Sequence, residues 1–441
     1  MKTQIKSWFF VFVLLCISCK NDDDNTNSGF QGNIDWAKTY GGSQDDFARS
    51  VIPTLDRNFL VFGNTSSING DITDKTFEVS DYWLLKLDLN GNVIWSKTYG
   101  GSDEDVGQQV IQTSDGGYAI VGYSKSNDND ASNNEGQHDN WILKLDSNGN
   151  VLWEKSFGFA GHDHAYSVIE TNDGGFFMTG FLDITASEGE GSTVRNFRHG
   201  IGEFWCHKLD ANGNIEWRNY FGGSNNDRSF DVVQANDGGY VVTGFSESND
   251  FDISNSKGSY DFWVIKINPE GELVWEKSLG GTEIDQARSI IKTDDNAYII
   301  IGNSFSNDGD ITSNLGSSDY LLIKISDNGN IIWSKNYGGS LFDFATSINK
   351  SIDGYIITGY SQSYDKDVKG NFGENDYWIL KISESGALIW QRNFGGSKLD
   401  LAFDAFETNE GEIIVVGETE SDDVEVDMNK GLKDILIIKI N

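Results

Sequence analysis

Residues 95–105 read WSKTYGGSDED. A Trp, a short mixed run, an aromatic, two Gly and an acidic end return in close variants along the whole chain. Trp36, Trp95, Trp153, Trp217, Trp275, Trp333 and Trp390 are spaced 59, 58, 64, 58, 58 and 57 residues apart. The segments that follow them are TYGGS, TYGGS, SFGFA, YFGGS, SLGGT, NYGGS and NFGGS. Seven self-similar units of this length mark a repeat architecture.

The unit at 102–159 shows what is repeated. It runs DVGQQVIQT, the turn SDGG, YAIVGYS, a long polar stretch, NWILKLD, the turn SNGN, and VLWEKSFG. Asp-Gly and Asn-Gly between apolar runs are hairpin signals, because type I′ turns need positive φ. That makes four short strands per unit. The second and third (FLVFG and YWLLKLD in the first unit) are apolar on both faces and must be covered on both. The fourth mixes Lys and Ser with its apolar residues, as an outer edge does.

The spacing therefore predicts an all-β chain, a seven-bladed β-propeller of four-stranded antiparallel blades. Blades fall at about 43–101, 102–159, 160–223, 224–281, 282–339 and 340–396, with the seventh at 397–441 plus 31–42. ILIIKIN at the C-terminal end reads as a third strand, and GNIDWAKTYGG at 32–42 as a fourth. The N-terminal strand is expected to complete the last blade and close the ring, where a solenoid would need polar caps.

The motifs YGGSxxD, DGGYxxxGYS and DYWxxKLDxxGNxxW resemble the seven-bladed propeller repeats of secreted and lipid-anchored Bacteroidota proteins. The resemblance covers 30–441 and implies architecture, not activity. The LDxxGNxxW hairpin is also similar to that of quinoprotein propellers, but the rest of each unit does not match.

The chain has 441 residues, formal charge −35 and a pI near 4.3. Such acidity argues against nucleic acid as a partner, since phosphate binding needs clustered Lys and Arg. It suits cations and cationic ligands. Of three Cys, two lie in the first nineteen residues, so Cys206 stands alone in the body and no disulfide framework is expected.

The start, MKTQIKSWFFVFVLLCISC, has Lys2 and Lys6 and then an apolar run of signal-peptide length, too short to span a bilayer. It resembles a bacterial lipoprotein signal, which implies cleavage of 1–18 and lipidation of Cys19. Residues 19–29 read as an acidic flexible tether. Lys20 with Asp22, Asp23 and Asp24 resembles the tag that sends Bacteroidota lipoproteins to the outer face of the outer membrane. A monomer anchored there, facing the exterior, is the expectation.

Function should ride on the face that carries the long second-to-third loops and the interblade connections. Three features fall on it. The Asp of GGSxxD recurs seven times, as Asp46, Asp105, Asp163, Asp227, Asp285, Asp343 and Asp400, each just before an innermost strand. These are expected at the channel mouth, either holding cations or, the bland alternative, accepting backbone N–H groups of their own turns. Next come acid pairs in the long loops: Asp128/Asp130, Asp250/Asp252, Asp308/Asp310 and Asp365/Asp367, with Asn69/Asp71 and Asp423/Glu425 in the outer units. Such hard-oxygen pairs suit Ca2+, or are solvated Asx-turns.

The third feature is the irregular unit three. Four of the five His are there, His162, His164, His199 and His207, and His138 ends the neighbouring loop. His162, His164 and His199 are expected to meet, a set that suits Zn2+, unless the repeat has simply drifted. Arg195 and Arg198 form a basic spot for a carboxylate or sulfate. No nucleophile motif, phosphate loop or HExxH occurs. The leading expectation is a binding scaffold for a glycan, polymer or protein. The alternatives are a polysaccharide lyase or hydrolase using blade three, which would pair an imidazole with a carboxylate, and a structural or adhesive module.

Overall fold

The computed structural model describes residues 32–193 and 200–441. Twenty-eight strands run from β1 (Ile34–Tyr40) to β28 (Asp434–Ile440) and form seven four-stranded antiparallel sheets. Blade one holds β2 (Asp46–Pro53), β3 (Phe59–Thr65), β4 (Asp81–Leu87) and β5 (Val93–Tyr99), from axis to rim. Blades two to six repeat that order. Blade seven is β26 (Asp400–Glu407), β27 (Ile413–Thr419), β28 and finally β1, with Trp36 opposite Lys439 and Tyr40 opposite Ile435. The ring closes as the ends of the repeat imply. The Cys19 lipidation site and the tether lie outside the described residues.

Each repeated motif has a mechanical reason. The inner strands β3 and β4 are buried along their whole length, packed between neighbouring blades. The Lys of DYWxxKLD is buried and reaches the acid of the first hairpin turn: Lys86 to Asp56 at 2.6 Å, Lys144 to Asp115 at 2.8 Å, Lys324 to Asp295 at 2.9 Å. The aromatic before GG ties blades together, with Tyr99 donating to Gly149 O at 2.7 Å in the next blade.

Every innermost strand carries a β-bulge at the same place, as between Ala48 and Ser50 or Ala287 and Ser289. The bulged residues are Arg49, Gln108, Tyr166, Phe230, Arg288, Thr346 and Phe403, and all seven line the central channel. A bulge re-aims a side chain, and here it builds the channel wall. The bulge also drives a carbonyl against the second strand, which explains the Gly of the GYS motif. A Cβ at Gly302 would lie 1.9 Å from Gln286 O, and one at Gly63 2.0 Å from Phe47 O.

Candidate functional site

The seven repeated Asp residues sit at the seams between blades. All are fully buried, with carboxylates turned into their own blades, so they do not form a solvent-facing ring at the channel mouth. Asp343 accepts Gly339 N–H at 2.7 Å, the Ser363 hydroxyl at 3.0 Å and the Ser361 hydroxyl. Its own N–H donates to Ser318 O of the preceding blade at 2.8 Å. Each Asp thus fixes an interblade turn and clips two blades together.

A second ring of acids, quoted within DYW but not singled out in the sequence, lies beside the first. Asp81, Asp139, Glu203, Asp261, Asp319, Asp376 and Asp434 open the third strands and are buried. The two rings meet around the first Gly of each GG. A Cβ at Gly100 would fall 2.4 Å from Asp81 Oδ1 and 2.6 Å from Asp105 Oδ2. Burial without full compensation raises these carboxyls. Asp81, Asp319 and Asp376 rise to about 7, and Asp139 and Asp434 to about 6. Within the first ring, burial lifts Asp163 to about 7 and Asp105 to about 6.

The loop acid pairs, the expected calcium ligands, are engaged with backbone. The first member of each caps the Ser or Thr of GGS/T: Asp128 accepts Ser102 N–H, Asp250 accepts Ser224 N–H, Asp308 accepts Thr282 N–H and Asp365 accepts Ser340 N–H, each at 2.8 Å. The second member turns to the first Gly: Asp130 to Gly100 N–H at 3.3 Å, Asp252 to Gly222 at 3.2 Å, Asp310 to Gly280 at 3.1 Å, Asp367 to Gly338 at 3.3 Å. The two carboxylates of a pair therefore diverge to different donors. Lys257 also reaches Asp310.

Two of the expected His residues gather, and His138 joins them. His138, His162 and His164 bring one ring nitrogen each to within 4.8 Å of one another, and among the described residues theirs is the one group of three or more His, Cys, Asp or Glu side chains that does so. His199, Arg195 and Arg198 lie outside the described residues. His138 enters because its backbone forms a parallel bridge with His162 across the seam of blades two and three. The two Nδ1 atoms are 2.7 Å apart. His138 Nε2 faces Glu104 Oε2 at 3.3 Å. His164 stacks on Tyr123, with ring centroids 3.9 Å apart, and its buried Nε2 has no hydrogen-bond partner. Burial and the neighbouring His138 and His162 push its pKa down to about 3. His207 is elsewhere, buried between Trp205 and Phe157 in the blade core. Cys206 is a buried free thiol whose pKa burial pushes up to about 12.

The channel holds what sequence reasoning missed. Its wide segment, about 550 Å³, is lined by Arg49, Arg228, Arg288, Tyr166, Phe344 and Tyr360, among others. A further segment of about 320 Å³ continues past the bulges. Arg288 lies over Phe230 at 4.4 Å and makes one long hydrogen bond, 3.5 Å, to Gln286 Oε1. Arg228 lies over Phe181 at 4.4 Å. Among the described residues no carboxylate oxygen pairs with either guanidinium, whereas Arg49 pairs with Glu418 at 3.6 Å. Burial lowers the pKa of Arg288. Placement one or three residues after the repeated Asp was the available signal. On the opposite face a separate pocket of about 380 Å³, lined by Leu55, Arg57, Leu89 and Glu410 among others, opens beside the first-to-second hairpins.

No family model and no curated protein sequence matches the chain. Solved structures do, at low identity. A chain of the mitotic checkpoint complex is 10% identical with a TM-score of 0.53, covering 99% of each chain. Sqt1 from Chaetomium thermophilum is 9% identical with a TM-score of 0.49, over 94% of this chain and 100% of its own. A member of the DUF4221 family from Bacteroides vulgatus is 9% identical with a TM-score of 0.40, over 93% and 97%. This likeness is one of fold. The protein is a seven-bladed β-propeller.

Proposed function

We propose that this protein is a lipid-anchored cell-surface scaffold whose central channel binds an anionic ligand, a carboxylated or sulfated glycan or polymer. The observation that carries this reading is the pair Arg228 and Arg288. A chain of formal charge −35 sets two guanidiniums without carboxylate partners into an aromatic-lined channel. A half-buried cation without a counter-charge is costly, and a carboxylate or sulfate offers the forked acceptor that guanidinium fits. The aromatic rings beside it suit the apolar faces of sugar rings. The anchor rests on the leader and Cys19, which support attachment to the outer membrane with the propeller held outward.

The test is binding of residues 20–441 to a panel of neutral, carboxylated and sulfated oligosaccharides. Retention of acidic members, weakened by salt and lost in Arg228→Gln with Arg288→Gln, is the expected result. Preference for neutral sugars, or binding indifferent to both substitutions, would remove the channel reading. Labelled palmitate entering the wild-type chain and not Cys19→Ala is expected for the anchor.

A further inference from the structure

Seven seams offer the same three positions: the residue before the third strand of one blade, the residue before the repeated Asp of the next, and the residue after it. At the seam of blades four and five they hold Tyr260, Ile284 and Gln286. At five and six they hold Ser318, Phe342 and Phe344, and at six and seven Asn375, Leu399 and Leu401. Between blades two and three all three positions are His. Two chain segments, held by different blades, supply them. Drift in one repeat would not select imidazole at both sides of a seam.

We infer that His138, His162 and His164 form a binding site for one borderline divalent cation of the Zn2+ class. Nitrogen is the donor such ions prefer, and three His with an open fourth position is a recurrent set. The supporting groups are in place. A ligating His usually gives its other N–H to a carboxylate or similar acceptor, and His138 Nε2 faces Glu104 at 3.3 Å while its Nδ1 points at His162. His164 keeps Nδ1 toward the Tyr166 hydroxyl at 3.4 Å and leaves the buried Nε2 without a partner. A buried polar atom without a partner is destabilising, and an ion coordinated there removes that cost.

Closing the site is a small rearrangement. Ligand nitrogens about 2.0–2.1 Å from zinc lie roughly 3.3 Å apart, and these three already lie within 4.8 Å. With His138 Nε2–H given to Glu104, the 2.7 Å contact is His162 Nδ1–H donating to His138 Nδ1. Coordination requires that proton to leave. His162 is exposed, so its Nε2 takes up a proton from water and the ring stays neutral. No net proton is released.

The experiment uses residues 20–441, stripped with chelator and titrated with Co2+ alone and then with Zn2+ alone. One equivalent of Co2+ giving visible ligand-field bands, displaced by one equivalent of Zn2+, is expected. His162→Ala and His164→Phe should each weaken binding at least about 100-fold, and Glu104→Gln about 10–100-fold with stoichiometry kept. His162 is exposed, so its substitution should leave the melting temperature of the metal-free protein unchanged, which separates a lost ligand from a lost fold. Stoichiometric binding that survives His138→Ala and His164→Phe would overturn the site. So would weak uptake of several equivalents without ligand-field bands, the behaviour of an acidic surface.

Discussion

Two seams of the ring show how one architecture is put to different uses. Between blades four and five, Asp285 accepts Gly281 N–H at 2.7 Å and the Ser306 hydroxyl at 2.9 Å, while Asp308 and Asp310 cap the turn. Between blades two and three, Asp163 keeps the first role, accepting Phe159 N–H at 2.8 Å and Asp183 N–H at 2.9 Å, but the acid pair is gone and His138, His162 and His164 surround it. What the seams share holds blades together. What only one has is free of that duty and available for chemistry. The repeat itself is therefore a filter: positions alike in all blades report on assembly, and positions alike in none report on ligands.

Gly302→Ala attacks the shared part most directly. Its Cβ would lie 1.9 Å from Gln286 O, a backbone atom that cannot step aside. A loss of about 3 kcal/mol is expected in urea unfolding, at the upper end for overpacking. Asp343→Ala should cost about 2–3 kcal/mol, because it strands buried donors at Gly339, Ser361 and Ser363. A loss below about 0.5 kcal/mol, the level of surface substitutions, would deny the clip its role.

Acidity separates the seams next. Asp81, Asp319 and Asp376, near 7 in the fold, keep their protons above the pH at which the unfolded chain releases them. Below about pH 4 both states are protonated and no penalty exists. Between about 4 and 7 the folded state holds more protons, so stability falls as pH rises, and it levels off above 7. His164, near 3 in the fold, acts oppositely between about 3 and 6.5, and His138 and His207, whose pKa values burial also lowers, act in the same direction as His164. The raised carboxyls outnumber these three, so the melting temperature should be higher at pH 5 than at pH 8. Asp319→Asn and Asp376→Asn together should reduce the difference; a profile that rises toward pH 8 would contradict the account. The smallest effect is expected from His164→Phe, which installs the residue that Phe344 provides elsewhere. Stability should change by less than about 1 kcal/mol, although the ion would be lost.

The fold was legible because turn chemistry and Trp spacing repeat seven times, and because both ends of the repeat show which strand is missing. The His cluster was only half legible. His162 and His164 stand together in the chain, but His138 joins them through a bridge between blades, a contact that no pattern within a unit reveals. Arg228 and Arg288 were not legible as a pair. Simple alternation says nothing about a bulge, and it is the bulge that turns Arg288 into the channel.

Ring closure by β1 has a mechanical side. Every other strand is continuous with a blade neighbour through a hairpin, whereas β1 is held to β28 by lateral pairing from Ile34 opposite Ile440 to Tyr40 opposite Ile435. Tension entering through the chain before Gly32 therefore loads that one pairing first. Pulled outward from the rim, it would peel pair by pair; pulled along the strand, its bonds would share the load. The latch that completes the circle is also where such traction enters it, and the direction of pull decides how much force the circle bears.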